Sequence, residues 1–202
     1  MTMATHTLTL PGQGSVAVTV DDQGEGRPFL LLHGGGGPQT LAGMAGLAAL
    51  YRELLDRLGL DGVTVIGNSI GGWIGTELAL LRSARISGLV LVDAVGIEVD
   101  GHPVTDIYTL SMDELARLSY HDPDAFRIDP AAMTEPQRAV MAANRAALRV
   151  YGGARMADPG LRGRLAAIAC PAGRVISRGW VPAGLMSASG RRAPRRSPTP
   201  RA

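Results

Sequence analysis

VTVIGNSIGGWIGTELAL occupies residues 63–80. Its first four residues, Val63, Thr64, Val65 and Ile66, are all β-branched and predict a strand. From Trp73 the pattern WIGTELALLR predicts a helix. Between them stands Gly67-Asn68-Ser69-Ile70-Gly71, a G-x-S-x-G sequence at a strand-to-helix turn. A turn this sharp needs small residues two before and two after the serine, and it presents the hydroxyl at the C-terminal edge of a sheet. The helix start supplies free N–H groups and a partial positive charge, which favour a developing oxyanion. A glycine-rich turn without a task is the plain alternative. The strand before and the helix after favour the presented serine.

Upstream, Phe29-Leu30-Leu31-Leu32 is a continuous apolar run, as expected for a strand buried on both faces. It ends in His33 and four glycines, Gly34 to Gly37. Glycines let a backbone approach a ligand closely and turn its N–H groups inward. A phosphate cradle is disfavoured, because no G-K-[ST] follows and no G-x-G-x-x-G is paired with a ribose-binding acid. His33 reads as structural rather than as a base. Residues 6–10 and 15–20 alternate and predict two strands joined by the turn Pro11 to Gly14. Apolar residues at steps of three and four predict a helix over 41–58, ended by Gly59. Ile86 to Asp93 predicts another buried strand. The alternation specifies an α/β fold with a doubly wound, mostly parallel sheet over residues 1–96.

Residues 97–165 differ. Ser111 with Glu114, and Thr134 with Gln137, have capping-box spacing. No strand is expected there, and the segment reads as a helical cap inserted into the core. Residues 166–172 read as the start of a further core strand. Residues 173–202 read as a disordered Arg/Pro-rich tail, with Arg, Gly, Pro, Ser and Ala dominant and no apolar period.

The charge follows the same division. The net charge is +2, and every basic residue is Arg. Residues 1–172 hold all 18 acids, whereas residues 173–202 hold 7 Arg and no acid. The body is therefore acidic, and a whole-chain argument for nucleic-acid binding fails. The tail's one aromatic, Trp180, gives little for base stacking, so no nucleic-acid partner is expected. No apolar run is long enough for a membrane span, and no secretory leader is visible at the start. The single cysteine, Cys170, excludes an internal disulfide and reads as a small buried residue. A cytoplasmic protein without metal or cofactor is expected.

LLLHGGGGP followed by VTVIGNSIGGWIGTELAL resembles the α/β-hydrolase fold superfamily, and LVLVDAVG with the helical segment resembles its sixth core strand and cap. The HGGGGP form is similar to esterases, proline-iminopeptidase-like enzymes and carbon–carbon bond hydrolases of ring-cleavage pathways. The resemblance covers residues 6–171. It implies Ser69 as nucleophile, the backbone N–H groups of Gly35 and Ile70 as oxyanion hole, and a small-molecule substrate. Asp93 ends a core strand where some members carry the triad acid, or it caps the next turn. Trp73 is expected to pack the helix against the sheet.

Two departures accompany the resemblance. The triad order is Ser, acid, His, yet no acid follows Asp158 and no histidine follows His121. Of the four histidines, His6 and His33 belong to the first strand and the oxyanion loop, and His102 and His121 to the cap. Also, the interval from His33 to Ser69 holds one helix where the family has a helix, a strand and a second helix. Three readings stand open: an internally deleted and truncated or frameshifted hydrolase, a non-catalytic binding remnant, or a base recruited from the cap.

Overall fold

The computed structural model describes residues 2–35, 41–101 and 104–176. Strands β1 (Thr2–Leu10) and β2 (Gly14–Asp22) form an antiparallel hairpin that is a sheet of its own. There follow β3 (Phe29–Leu32), α1 (Gly43–Leu58), β4 (Val63–Asn68), α2 (Ile70–Leu80) and β5 (Ile86–Val92). The cap region holds β6 (Gly96–Ile97), α3 (Met112–Ser119), α4 (Glu135–Gly152), β7 (Ala157–Asp158) and α5 (Leu161–Arg164). The last described strand is β8 (Ala172–Val175). Strands β3, β4, β5 and β8 pair in that order, all parallel. This is the mostly parallel α/β sheet that the alternation specified.

The helices form where the apolar periods placed them. Helix α1 buries Met44, Leu47, Leu50, Leu54 and Leu55, and Gly59 ends it in the left-handed region at φ 63°. Both capping boxes are made: Ser111 with Glu114 opens α3, and Thr134 with Gln137 opens α4. Helix α2 lies across β3, β4 and β5, and α1 packs on α2 and β1. Leu32, Val65 and Leu89 are buried beneath α2. Helix and sheet come very close at Gly75, where a Cβ would stand 3.1 Å from both Val65 and Leu89.

Four expectations need correction. First, β3 is buried on one face only: Phe29 is 58% and Leu31 71% exposed, while Leu32 is buried. The register aligns Phe29 with Thr64 and Leu31 with Ile66, so these residues share the face opposite α2. Second, the cap region does hold strand structure, because β6 and β7 pair in parallel where the cap leaves and rejoins the core. Third, the strand expected from Ala166 forms later. Residues 165–167 make a 3-10 turn, and pairing with β5 runs from Ala172 to Val175. Fourth, residues 173–175 therefore belong to the sheet and not to the tail. Their sequence, Gly-Arg-Val, has no apolar run or alternation to reveal them, because β8 is exposed along its whole length and is held by backbone bonds. The tail beyond residue 176 lies outside the described residues.

The cap base is tied to the elbow helix. Arg164 donates to both carboxylate oxygens of Glu77 at 2.7 Å and to Asp158 at 2.6 Å. Glu77 is buried and is the one charged residue of α2, so a bidentate partner is what makes its burial tolerable. These hydrogen bonds hold the Arg164 pKa above its ordinary value. Higher in the cap, the Tyr108 hydroxyl donates to the Leu148 carbonyl, and Arg145 donates to the Tyr108 carbonyl. The segment before α3 is thereby pinned to α4.

Candidate active site

Ser69 sits between β4 and α2 with φ 54° and ψ −119°. Such a conformation is strained for a side chain with a Cβ and persists only where the surroundings impose it. Here they do. The Ser69 N–H donates to the Val92 carbonyl at 2.9 Å, and the Ser69 carbonyl accepts from Gly72 and Val95. The sterics of the flanking glycines are severe. A Cβ at Gly67 would stand 2.3 Å from the Gly71 carbonyl oxygen, and one at Gly71 would stand 2.2 Å from the Leu32 carbonyl oxygen. The G-x-S-x-G spacing is therefore the sequence trace of backbone crossing backbone.

The loop after β3 reaches the same place. A Cβ on Gly34 would lie 3.2 Å from the Cβ of Ser69. Gly35 has φ 124°, a conformation open to glycine alone. The His33 ring is exposed, with Nδ1 2.8 Å from the Gly34 carbonyl oxygen. Ile70 is the first residue of α2, so its N–H is one of those a helix leaves without an internal partner. Gly34, Gly35, Ser69 and Ile70 thus belong to one corner at the C-terminal edge of the sheet.

Asp93 follows β5 on that edge. It is half-buried, has φ 45°, and its N–H donates to the Val175 carbonyl at 3.0 Å. The histidines do not gather there. His6 is on β1, and His121 is exposed after α3. Among the described residues no histidine ring is hydrogen-bonded to Ser69, and His102 lies outside them. Cys170 is half-buried against the core. Trp73 is buried and its ring lies against the start of β6: a Cβ at Gly96 would meet it at 2.6 Å. Its indole N–H is buried without a hydrogen-bond partner among the described residues.

Sequence reasoning missed the Glu77–Arg164–Asp158 bridge. Its members lie up to 87 residues apart. The one available signal was a single acid within an apolar helix. Among the described residues no three His, Cys, Asp or Glu side chains are placed to hold a metal, and no helix is long and apolar enough to cross a membrane.

A parallel sheet with a strained serine at its strand-to-helix corner is the architecture of a large class of hydrolytic proteins. A model of the alpha/beta hydrolase family matches residues 3–200, and the chain belongs to that family. It is 38% identical over 77 residues to a Rhizobium rhizogenes protein named for carbamate hydrolysis, RutD, a match taking in 38% of this chain and 27% of that protein. It is 28% identical over 178 aligned positions to a 2-hydroxymuconate semialdehyde hydrolase of Pseudomonas putida, taking in 58% of this chain and 62% of the relative. In both cases the chain covers less than two thirds of the relative's length. In the second match, 58% of this chain is fewer residues than the 178 aligned positions, so an internal stretch of the relative has no counterpart here. The fold is similar to an esterase of Thermogutta terrifontis, with TM-score 0.61, 19% identity and coverage of 87% of this chain and 80% of that one. It is also similar to a bromoperoxidase of Bacillus anthracis, with TM-score 0.62, 17% identity and coverage of 87% and 82%. At these identities the likeness is one of fold.

Proposed function

We propose that this chain is the core of a serine hydrolase acting on an ester, amide or carbon–carbon bond next to a carbonyl in a small molecule. The observation that carries this is the strained Ser69 corner with the β3 loop against it. Ser69 Oγ attacks the carbonyl carbon and gives its proton to a base. The carbonyl oxygen becomes an oxyanion facing the Gly35 and Ile70 N–H groups. Collapse breaks the bond to the leaving group, which takes up a proton, and water then releases the acyl group from Ser69. The names of the two curated relatives, both hydrolases, support this reading.

These 202 residues carry no histidine after His121 and no acid after Asp158, so the chain as it stands is proposed to be impaired. Asp93 takes the part of the acid only if a histidine stands between it and Ser69. Loss of the histidine from a serine triad costs on the order of 10⁶ in turnover, leaving catalysis by binding and the oxyanion hole. The test is hydrolysis of p-nitrophenyl butyrate by the chain and by Ser69→Ala, with and without added imidazole. Without imidazole the two should run at nearly the same slow rate. With imidazole as a substitute base, the parent chain should exceed Ser69→Ala. Equal acceleration of both would remove Ser69 as nucleophile and favour a non-catalytic binding remnant. Turnover near 1 per second without imidazole would show that His102 or His121 already serves as base.

A further inference from the structure

The cap presents a face that the described residues leave uncovered. Helix α3 is amphipathic yet buries none of its residues. Leu118, Tyr120, Phe126 and Ile128 are all exposed, and the rings of Tyr120 and Phe126 stack with centroids 4.6 Å apart. Beside them opens a groove of about 650 Å³ lined by Ser111, Met112, Asp113, Arg127, Ile128 and Asp129. Large apolar side chains clustered at a surface mark a contact site. This one is also acidic, because residues 111–129 hold five acids against two arginines, and one of those arginines, Arg127, already pairs with Asp113.

The chain itself contains a segment of opposite character. Residues 177–202 carry six arginines and no acid, with Arg191, Arg192, Arg195 and Arg196 close together. Leu185 and Met186 lie just before that cluster. The segment departs from the root of the cap, since the Val175 carbonyl bonds the N–H of Asp93, the residue at which β5 gives way to the cap. Twenty-six residues reach up to about 85 Å when extended, far more than the cap helices require. We propose that residues 177–202 dock on this cap face of their own chain. Leu185 and Met186 cover the groove beside Met112 and Ile128, and the arginine cluster faces Asp122, Asp124 and Asp129. A segment too polar to order alone gains a folded partner of opposite charge, at very high effective concentration.

The test is tryptic cleavage within Arg191–Arg196 in the full chain, followed by mass spectrometry, against the same sites in a free 177–202 peptide. At low salt the full chain should be cut at least about fivefold more slowly, and at roughly 0.5 M salt the two rates should converge, because exposed charge pairs are screened. The exposed substitutions Asp124→Arg and Ile128→Ser should each remove the protection at low salt. Equal cleavage of chain and peptide at low salt would overturn the proposal, as would protection that neither salt nor either substitution changes. Protection that grows with protein concentration would assign the face to a second copy. Protection that appears only with added RNA would assign the arginines to nucleic acid. Either result overturns docking in cis.

Discussion

A methyl group is enough to separate two kinds of glycine in this chain. At Gly71 an added Cβ would lie 2.2 Å from the Leu32 carbonyl oxygen, with the carbonyl oxygen of His33 at 2.8 Å. Both neighbours are backbone and neither can swing aside. Gly71→Ala is expected to destabilise the chain by about 3 kcal/mol or more and to displace Ser69 from its corner. At Gly163, inside α5, nothing lies within 4 Å of the added atom. Gly163→Ala should stabilise by about 0.5–1 kcal/mol, through helix propensity and a less flexible unfolded chain. Urea denaturation of both variants checks the opposite signs. The Ser69 corner was legible in the sequence because its steric demand removes side chains at fixed positions, 67 and 71. The Glu77–Arg164 bridge was not, since a pairing across the fold leaves no local spacing to read.

Among the elements, α3 illustrates how a helix start can be read and then tested. The backbone N–H of Ser111 donates to Glu114, the Ser111 hydroxyl does so too, and the Glu114 N–H returns a bond to that hydroxyl. The bonds from Ser111 hold the Glu114 carboxyl below its ordinary value of 4.5. A carboxylate favoured in the folded state adds stability above that ordinary value and loses it as pH falls through the lowered one. The amides of residues 111–119 should therefore fray as pH drops below 4.5, as followed by NMR, and Glu114→Gln should make their state independent of pH in that range. A Glu114→Gln helix that still melts over the same window would assign the change elsewhere. The capping boxes and the periods of α1 and α2 were legible because each is a local pattern. Strand β8 was not: an edge strand that buries no side chain imposes no pattern on its residues.

For the molecule as a whole, the decisive feature is a side of the sheet that the described residues leave bare. Among the described residues strand β3 is an edge of the four-stranded sheet, four residues long and without charge. Phe29 and Leu31 stand exposed on the face away from α2, and Val175 is exposed on β8 at the opposite edge. Each such side chain forgoes roughly 1.5–3 kcal/mol of burial, against a net stability of about 5–15 kcal/mol for a typical domain. An uncharged apolar edge of this kind pairs with other chains. Sedimentation velocity should show association that rises with concentration, and Leu31→Lys should weaken it at no folding cost, since Leu31 is already open to water. A chain that stays monomeric at every concentration would contradict this. Between His33 and Ser69 the described residues hold one helix before β4, in keeping with the short interval in the sequence, but the four-letter run Phe29–Leu32 read the same whether one face or both were covered. Strand β8 carries a different consequence. Its rungs to β5 are made by main-chain atoms that every residue but proline supplies in full. The last described strand is thus written in an alphabet nearly blind to side chains, and its letters can be exchanged while the rung stays in place.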